Sequence, residues 1–179
     1  MFRKLLNSEL GRPAVEEYRA LAKSPVTVIL DNVRSRHNIG SAFRTSDAFR
    51  AERIVLCGIS STPPSPEIHK SALGAEFSVD WCYRESTVEA VRELKEAGCT
   101  VIGVEQTENS ISTDRFLNGE LSLEKDKKYA VIFGNEVHGI SQEAVDLCDY
   151  TLEIPQWGTK HSLNVSVAIG IVLYILTPR

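Results

Sequence analysis

The chain has 179 residues and a formal net charge of −4, from 20 Lys and Arg against 24 Asp and Glu. Apolar residues make up 42% and charged residues 25%, a globular mix that excludes a disordered or fibrous chain. A chain of this length buries roughly 70% of its unfolded surface and needs no metal or disulfide staple, while an acidic balance argues against bulk attraction to nucleic acid.

The elements alternate along the chain. Residues 13–22 read as a short helix, with Pro13 in its first turn and Val15, Tyr18 and Leu21 or Ala22 on one face. Val26–Leu30 is a continuous apolar run, the pattern of a strand buried on both faces. Asn38 is the expected N-cap of a helix running to Phe49, with Ile39, Ala42, Phe43, Ser46 and Phe49 inward. Arg53–Cys57 is the next strand, Ser60–Pro66 a loop, and Phe77–Tyr83 a half-buried strand. Ser86 or Thr87 caps a helix that ends at Gly98, and Cys99–Val104 is a strand. Residues 106–128 are polar and irregular, with one short helix near Thr113–Leu117. Tyr129–Phe133 is a strand, Gly134–Ile140 a turn, and Ser141 the cap of a helix to Leu147. Thr151–Ile154 is the last strand, and Ser162 opens an apolar helix to Leu176. Strands alternating with helices predict a mostly parallel sheet covered on both faces, class α/β, in a single domain over 1–179. The last helix is apolar nearly all round, which leaves two readings, a core plug or a subunit interface.

The charge is unevenly spread. Residues 1–53 hold 10 basic and 6 acidic side chains, +4, and the remainder holds 10 and 18, −8. Surface scatter and a cationic face for an anionic partner are both consistent with that. The four cysteines, Cys57, Cys82, Cys99 and Cys148, form no C-x-x-C pair, so buried thiols in a reducing compartment are expected rather than a metal site. The N-terminus lacks the apolar core of a signal peptide and no run is long enough to span a bilayer, so a cytoplasmic chain without membrane contact is expected.

In open α/β sheets ligands bind at the carboxyl ends of the strands. Three loops there carry polar residues with no evident folding role: Asp31–Arg44, Gly134–Ser141 and Pro155–Asn164. No G-x-G-x-x-G follows the first strand, and Ile140 stands where a phosphate loop needs lysine. Gly134 and Gly139 bracket Glu136 on a tight turn, and Glu136 reads either as a cap or surface carboxylate or as a ligand group. Asn164 sits in an apolar run, where its amide must find partners. The four histidines are far apart, so no metal site is expected.

Together these segments resemble a known family. Asn38-Ile-Gly-Ser-Ala-Phe-Arg44, Phe133-Gly-Asn-Glu-Val-His-Gly-Ile140 and Ile154-Pro-Gln-Trp-Gly-Thr-Lys-His-Ser-Leu-Asn-Val-Ser166 are similar, in order, to the three motifs of the SpoU (TrmH-like) RNA ribose 2′-O-methyltransferases of the SPOUT superfamily. Gln156, where methionine is frequent, is a minor departure. The resemblance implies a C-terminal trefoil knot, S-adenosylmethionine as cofactor, a homodimer, and an RNA substrate, tRNA before rRNA by analogy with compact relatives. It assigns Gly134, Ile154 and Leu163 to cofactor contact and Asn38, Arg44, Glu136, Ser162 and Asn164 to the catalytic set. Residues 1–25 then form an N-terminal helical arm and 26–179 the catalytic core. Arg34, Arg36 and His37 beside the first motif form an expected RNA-phosphate set. Aromatics are 7% of residues, and Phe43 and Phe49 near that set look like core, so recognition by RNA shape and backbone is expected over base stacking. The competing readings are a catalytically silent RNA-binding relative and an α/β enzyme of another nucleotide cofactor.

Overall fold

The computed structural model describes residues 2–177. Its centre is one sheet of seven strands: β1 (Ser24–Asp31), β2 (Ala51–Cys57), β3 (Trp81–Arg84), β4 (Cys99–Val104), β5 (Ile111–Ser112), β6 (Lys128–Phe133) and β7 (Tyr150–Glu153). Their order is β3-β2-β1-β6-β4-β7-β5, and every pairing is parallel. Parallel strands need crossovers, and the helices supply them: α1 (Val15–Ala20), α2 (Arg36–Ala48), α3 (Pro66–Ala72), α4 (Ala75–Ser78), α5 (Thr87–Glu96), α6 (Asp114–Leu117), α7 (Gln142–Val145) and α8 (Val165–Leu176).

The strand pleat splits the core in two. Val28, Leu30, Val131 and Phe133 face α2 and α8, with Ile39, Phe43, Ile169 and Leu173 opposite. Ile29, Val55, Ala130 and Ile132 face the other layer, with Ala90 and Val91 of α5 and Ala144 of α7. The expected α/β sheet with both faces covered is therefore present, and the unbroken apolar runs of β1 and β6 mark its middle.

The differences from expectation are local. Ser35, not Asn38, caps α2: its Oγ accepts the Asn38 amide at 3.2 Å. Two good capping residues three positions apart compete for one terminus, and the one that wins frees the other side chain. α3 lies partly in the expected 60–66 loop, opened by Ser65 as cap and Pro66 in the first turn. Residues 77–83 are not one strand. Leu73 and Gly74, at φ 53° and 93°, reverse the chain into α4, which contains Phe77, and β3 begins only at Trp81. Asn164, not Ser162, caps α8. Ser141 precedes α7 but spends its hydroxyl on Asp31, at 2.9 Å, rather than on the helix. In α1 only Tyr18 is buried, whereas Val15 and Ala22 of its expected inner face are exposed. α8 is not buried on every side: Val167 is 49% exposed. All four cysteines are free, and burial pushes the Cys57 thiol up to about 12 and Cys148 to about 11. No helix among the described residues is long and apolar enough to cross a membrane.

Candidate active site

The strand order brings β1, β6, β4 and β7 side by side, so the loops leaving their carboxyl ends must meet. Glu136, from the loop after β6, reaches across to the loop after β1. Its carboxylate accepts the amides of Arg34 and Ser35, each at 3.0 Å, and the Asn38 Nδ2 at 2.9 Å. Asn38 in turn accepts, through Oδ1, the Nδ2 of Asn164 at 3.2 Å. Asn164 accepts the Ser166 amide through its own Oδ1 at 2.8 Å and so caps α8. One chain of hydrogen bonds thus links all three motif loops, and the amide of Asn164 has its partners.

Burial pushes the Glu136 carboxyl up, but hydrogen bonds from the Arg34 and Ser35 amides and from Asn38 outweigh it, and its pKa lies below the ordinary value. A carboxylate depressed in the folded state contributes stability above its unfolded pKa and loses it as pH falls through the folded value. The clamp therefore holds at neutral pH and persists into the range where a free glutamate, at about 4.3, takes its proton. The amide shifts of Arg34 and Ser35, followed by NMR, should titrate below that value. In Glu136→Gln a side-chain NH2 replaces one acceptor oxygen, so both amides should exchange with solvent faster at neutral pH.

The turn after β6 depends on its glycines. A Cβ on Gly134 would stand 2.1 Å from the Gly139 carbonyl carbon and 2.2 Å from the Ile140 nitrogen. Gly139 has φ +68°, and a Cβ there would meet Glu105 Oε2 at 2.1 Å. Asn135 closes the turn, exchanging backbone hydrogen bonds with Gly139 at 2.9 Å each way and donating its Nδ2 to the Asn32 carbonyl at 2.7 Å.

Two supports escaped the sequence reading. Glu105, just past β4, accepts the Ile140 amide at 3.0 Å, and Asp31, the buried last residue of β1, accepts the Ser141 amide at 2.8 Å as well as its hydroxyl. An acidic residue directly after the apolar run Val26–Leu30 is the signal the sequence offers for Asp31. For Glu105 the local sequence offered none. Gln106 donates Nε2 to the His161 carbonyl at 2.7 Å and pins the third loop.

These loops enclose an open cleft of about 640 Å³. Gly134, Glu136, Ile154, Ser162, Leu163 and Asn164 all line it, and Asn38 touches it through Glu136 and Asn164. Its floor is apolar, from Val104, Ile140, Leu152, Val165 and Ala168. No lysine or arginine lines it among the described residues. Arg44 is outside the lining. It is exposed on α2, six residues or about 9 Å along the axis from Asn38. Arg34 and His37 are exposed, whereas the Arg36 guanidinium is paired with Glu67 at 3.1 Å. No group of three or more potential metal ligands occurs among the described residues.

The SpoU rRNA methylase family profile matches residues 25–174, a span that contains all three loops. The chain belongs to this family. Among curated SpoU relatives, the 23S rRNA (guanosine-2′-O-)-methyltransferase RlmB of Neisseria meningitidis is 31% identical over 156 residues, 86% of this chain and 58% of the relative. A putative TrmH family tRNA/rRNA methyltransferase of Staphylococcus aureus is 32% identical over 147 residues, 82% of this chain and 56% of its own. The chain thus spans somewhat over half the length of these relatives. Among solved structures, the AdoMet-bound rRNA methyltransferase of Sinorhizobium meliloti superposes with a TM-score of 0.75 at 27% identity, covering 88% of this chain and 58% of that one. The TrmH/SpoU tRNA modifying enzyme of A. aeolicus gives 0.76 at 25% identity, covering 90% and 78%. The sheet described above is accordingly the SpoU fold.

Proposed function

We propose that the chain is an S-adenosylmethionine-dependent methyltransferase acting on a ribose 2′-hydroxyl of RNA. The observation that carries this reading is the convergence of the three motif loops, tied by Glu136, Asn38 and Asn164, on a cleft without cationic lining. A dinucleotide or nucleoside triphosphate would need a cation or a glycine-rich phosphate cradle there. S-adenosylmethionine has no phosphate. Val104, Ile140, Leu152 and Ala168 offer an adenine an apolar wall, and Gly134, Ile154 and Leu163, which also line the cleft, would read its polar edges through their backbone.

When bound, the cofactor supplies a methyl group on a sulfonium whose departing thioether is neutral. The loops would hold the cofactor in the cleft, and the alignment of its methyl with the incoming oxygen would supply much of the rate. Glu136, engaged by three donors and held below the usual range, acts as a clamp rather than a base. Arg44 keeps its proton, so the proton of the attacking 2′-hydroxyl leaves to solvent water in the open cleft. The role of Arg44 in this reading is to hold a neighbouring phosphate and to stabilise the developing alkoxide. Asn38 and Asn164 set the loop geometry, and Ser162 lines the cleft from the third loop.

Arg44 lies outside the cleft of one protomer, which supports a homodimer in which a second copy completes the site. The exposed Val167 on α8 offers an apolar face for such a partner. The C-terminal knot belongs to the same reading, and the return of α8 onto α2 accords with it. So does residence in the cytoplasm, with four free cysteines. We assign residues 1–179 to one catalytic unit, preceded within it by the 1–25 arm. A tRNA substrate is preferred, because the A. aeolicus tRNA modifying enzyme is matched over 78% of its length and the Sinorhizobium rRNA enzyme over 58%.

Methyl transfer from labelled S-adenosylmethionine to unmodified total RNA tests the reading. Calorimetric binding of NAD or ATP in place of S-adenosylmethionine would overturn it, and cofactor binding without transfer to any RNA would mark a silent relative. Removing Arg34 and Arg36 together should weaken RNA binding and lower the salt slope by about 1 per lost phosphate contact. Because Glu67 already neutralises Arg36, most of that change should come from Arg34. Cofactor affinity should not move.

A further inference from the structure

A second cavity, of about 670 Å³, opens beside the first. Arg36, Ser61, Glu67, Trp81 and Tyr83 line it. β3 is an edge strand, and Trp81 and Tyr83, two residues apart, project from the same face. They are 36% and 43% exposed, unlike Phe43, which is core as its sequence suggested. The Tyr83 hydroxyl donates to the Gly58 carbonyl at 2.9 Å, which fixes its ring before any ligand arrives. The expectation against base stacking rests on the scarcity of aromatics and on Phe43 and Phe49 beside the basic set, and it does not weigh these two rings on β3.

The two cavities share a wall. On one side of the loop after β1, the Asn32 carbonyl takes Asn135, and the Arg34 and Ser35 amides take Glu136, all groups of the catalytic cleft. On the other side, the Asn32 Oδ1 accepts the Ile59 amide at 3.1 Å, the Val33 amide donates to Ser60 Oγ at 2.9 Å, and Arg36 Nε donates to Ser61 Oγ at 3.2 Å. Ser35 and Arg36, about 3.8 Å apart at Cα, thus serve different cavities.

We propose that this second cavity takes the base of an unpaired RNA nucleotide adjacent to the one methylated, stacked on Trp81 and Tyr83. The proposal rests on the reading of the first cleft as an RNA methyltransferase site. The lining selects a base over a phosphate. Glu67 stands beside Arg36 and cancels its charge, and a carboxylate accepts from amino groups on a base edge while it repels a phosphate. Ser65 and Arg36 hold that carboxylate in place, at 2.9 and 3.1 Å. A stacking site also answers the charge of the whole chain. At −4 it attracts phosphates weakly, whereas stacking on a ring accepts any base and, releasing no counterion, adds nothing to the salt slope of the phosphate contacts.

The test is steady-state methyl transfer with unmodified total RNA as acceptor, for wild type, Trp81→Ala, Trp81→Phe, Trp81→Leu and Arg34→Ala. Trp81→Ala should raise the KM for RNA about 5- to 100-fold, leave the Kd for S-adenosylmethionine unchanged, and leave the salt slope of kcat/KM at the wild-type value. Trp81→Phe should restore most of the loss, and Trp81→Leu should not. Arg34→Ala should lower the slope instead. An unchanged RNA KM in Trp81→Ala, or full rescue by leucine, overturns the stacking site and leaves the methyltransferase reading intact. A pocket built for a protein partner would give that unchanged KM. A wild-type enzyme that methylates no RNA overturns the reading of the first cleft, and the proposal with it.

Discussion

Replacing Arg44 with alanine should lower kcat for methyl transfer about 100-fold or more, the scale seen when one preorganised donor to a developing oxyanion is removed. The Kd for S-adenosylmethionine should be unchanged, because Arg44 does not line the cleft. The Arg44→Lys variant separates two roles. A point charge would retain part of the rate, whereas a bidentate grip on a phosphate would be lost with the planar fork. Single-turnover rates on saturating RNA make the distinction cleanly, since they remove binding from the comparison. Thermal stability should not change in either variant, as the side chain is exposed and has no hydrogen bond or ion pair among the described residues. Near-wild-type turnover in Arg44→Ala would remove this residue from the mechanism.

The second large effect is expected at Gly134. Its Cβ would collide with backbone, the Gly139 carbonyl carbon at 2.1 Å and the Ile140 nitrogen at 2.2 Å, and no rotamer change relieves a backbone contact. In Gly134→Ala the turn must open, which withdraws Asn135 from Asn32 and Ile140 from Glu105. We expect a loss of about 2 kcal/mol of stability, read as roughly 4–8 °C in Tm for a chain of this size. The affinity for S-adenosylmethionine should fall at least about tenfold, since about 1.4 kcal/mol of displaced backbone contact suffices. Gly158→Ala is the matched control. It lies in the third loop with nothing within 4 Å of the added Cβ, so both quantities should stay near wild type. Equal effects at the two positions would show that the turn geometry is not the cause.

How far these features could be read in advance depended on the range of the interactions that decide them. The alternation of elements was legible because β1 and β6 are apolar on both faces, and α5 lies between ordinary punctuators, Ser86 as its N-cap and Gly98 just past its end. Helix starts were less so. Ser35 and Asn38 are both competent caps, and the outcome turns on Glu136, about a hundred positions away, which claims the Asn38 side chain. The same holds at Ser162 and Asn164, where Asn38 favours the second. Phe77–Tyr83 misled because alternation of apolar residues is a local signal, while the left-handed Leu73 and Gly74 that break it act through the backbone.

The site shows the same division. Gly134, Glu136, Ile154, Ser162, Leu163 and Asn164 were named from the motifs and do line one cleft. Their supports, Asp31 and Glu105, come from strands paired with β6, and only sheet order brings them there. The pairing of Arg36 with Glu67 likewise depends on α3, whose start lies in the Ser60–Pro66 stretch that its Ser, Thr and Pro content marks as loop.

The most direct test of the central claim is where the methyl group lands. Labelled S-adenosylmethionine, purified protein and unmodified total RNA are incubated, and the recovered RNA is hydrolysed in alkali. A 2′-O-methyl group removes the hydroxyl that would attack the neighbouring phosphate, so the label should survive in alkali-resistant dinucleotides. With Arg44→Ala this product should form about 100-fold more slowly. Label recovered in mononucleotides would place the methyl on a base and contradict the assignment of the ribose 2′-oxygen.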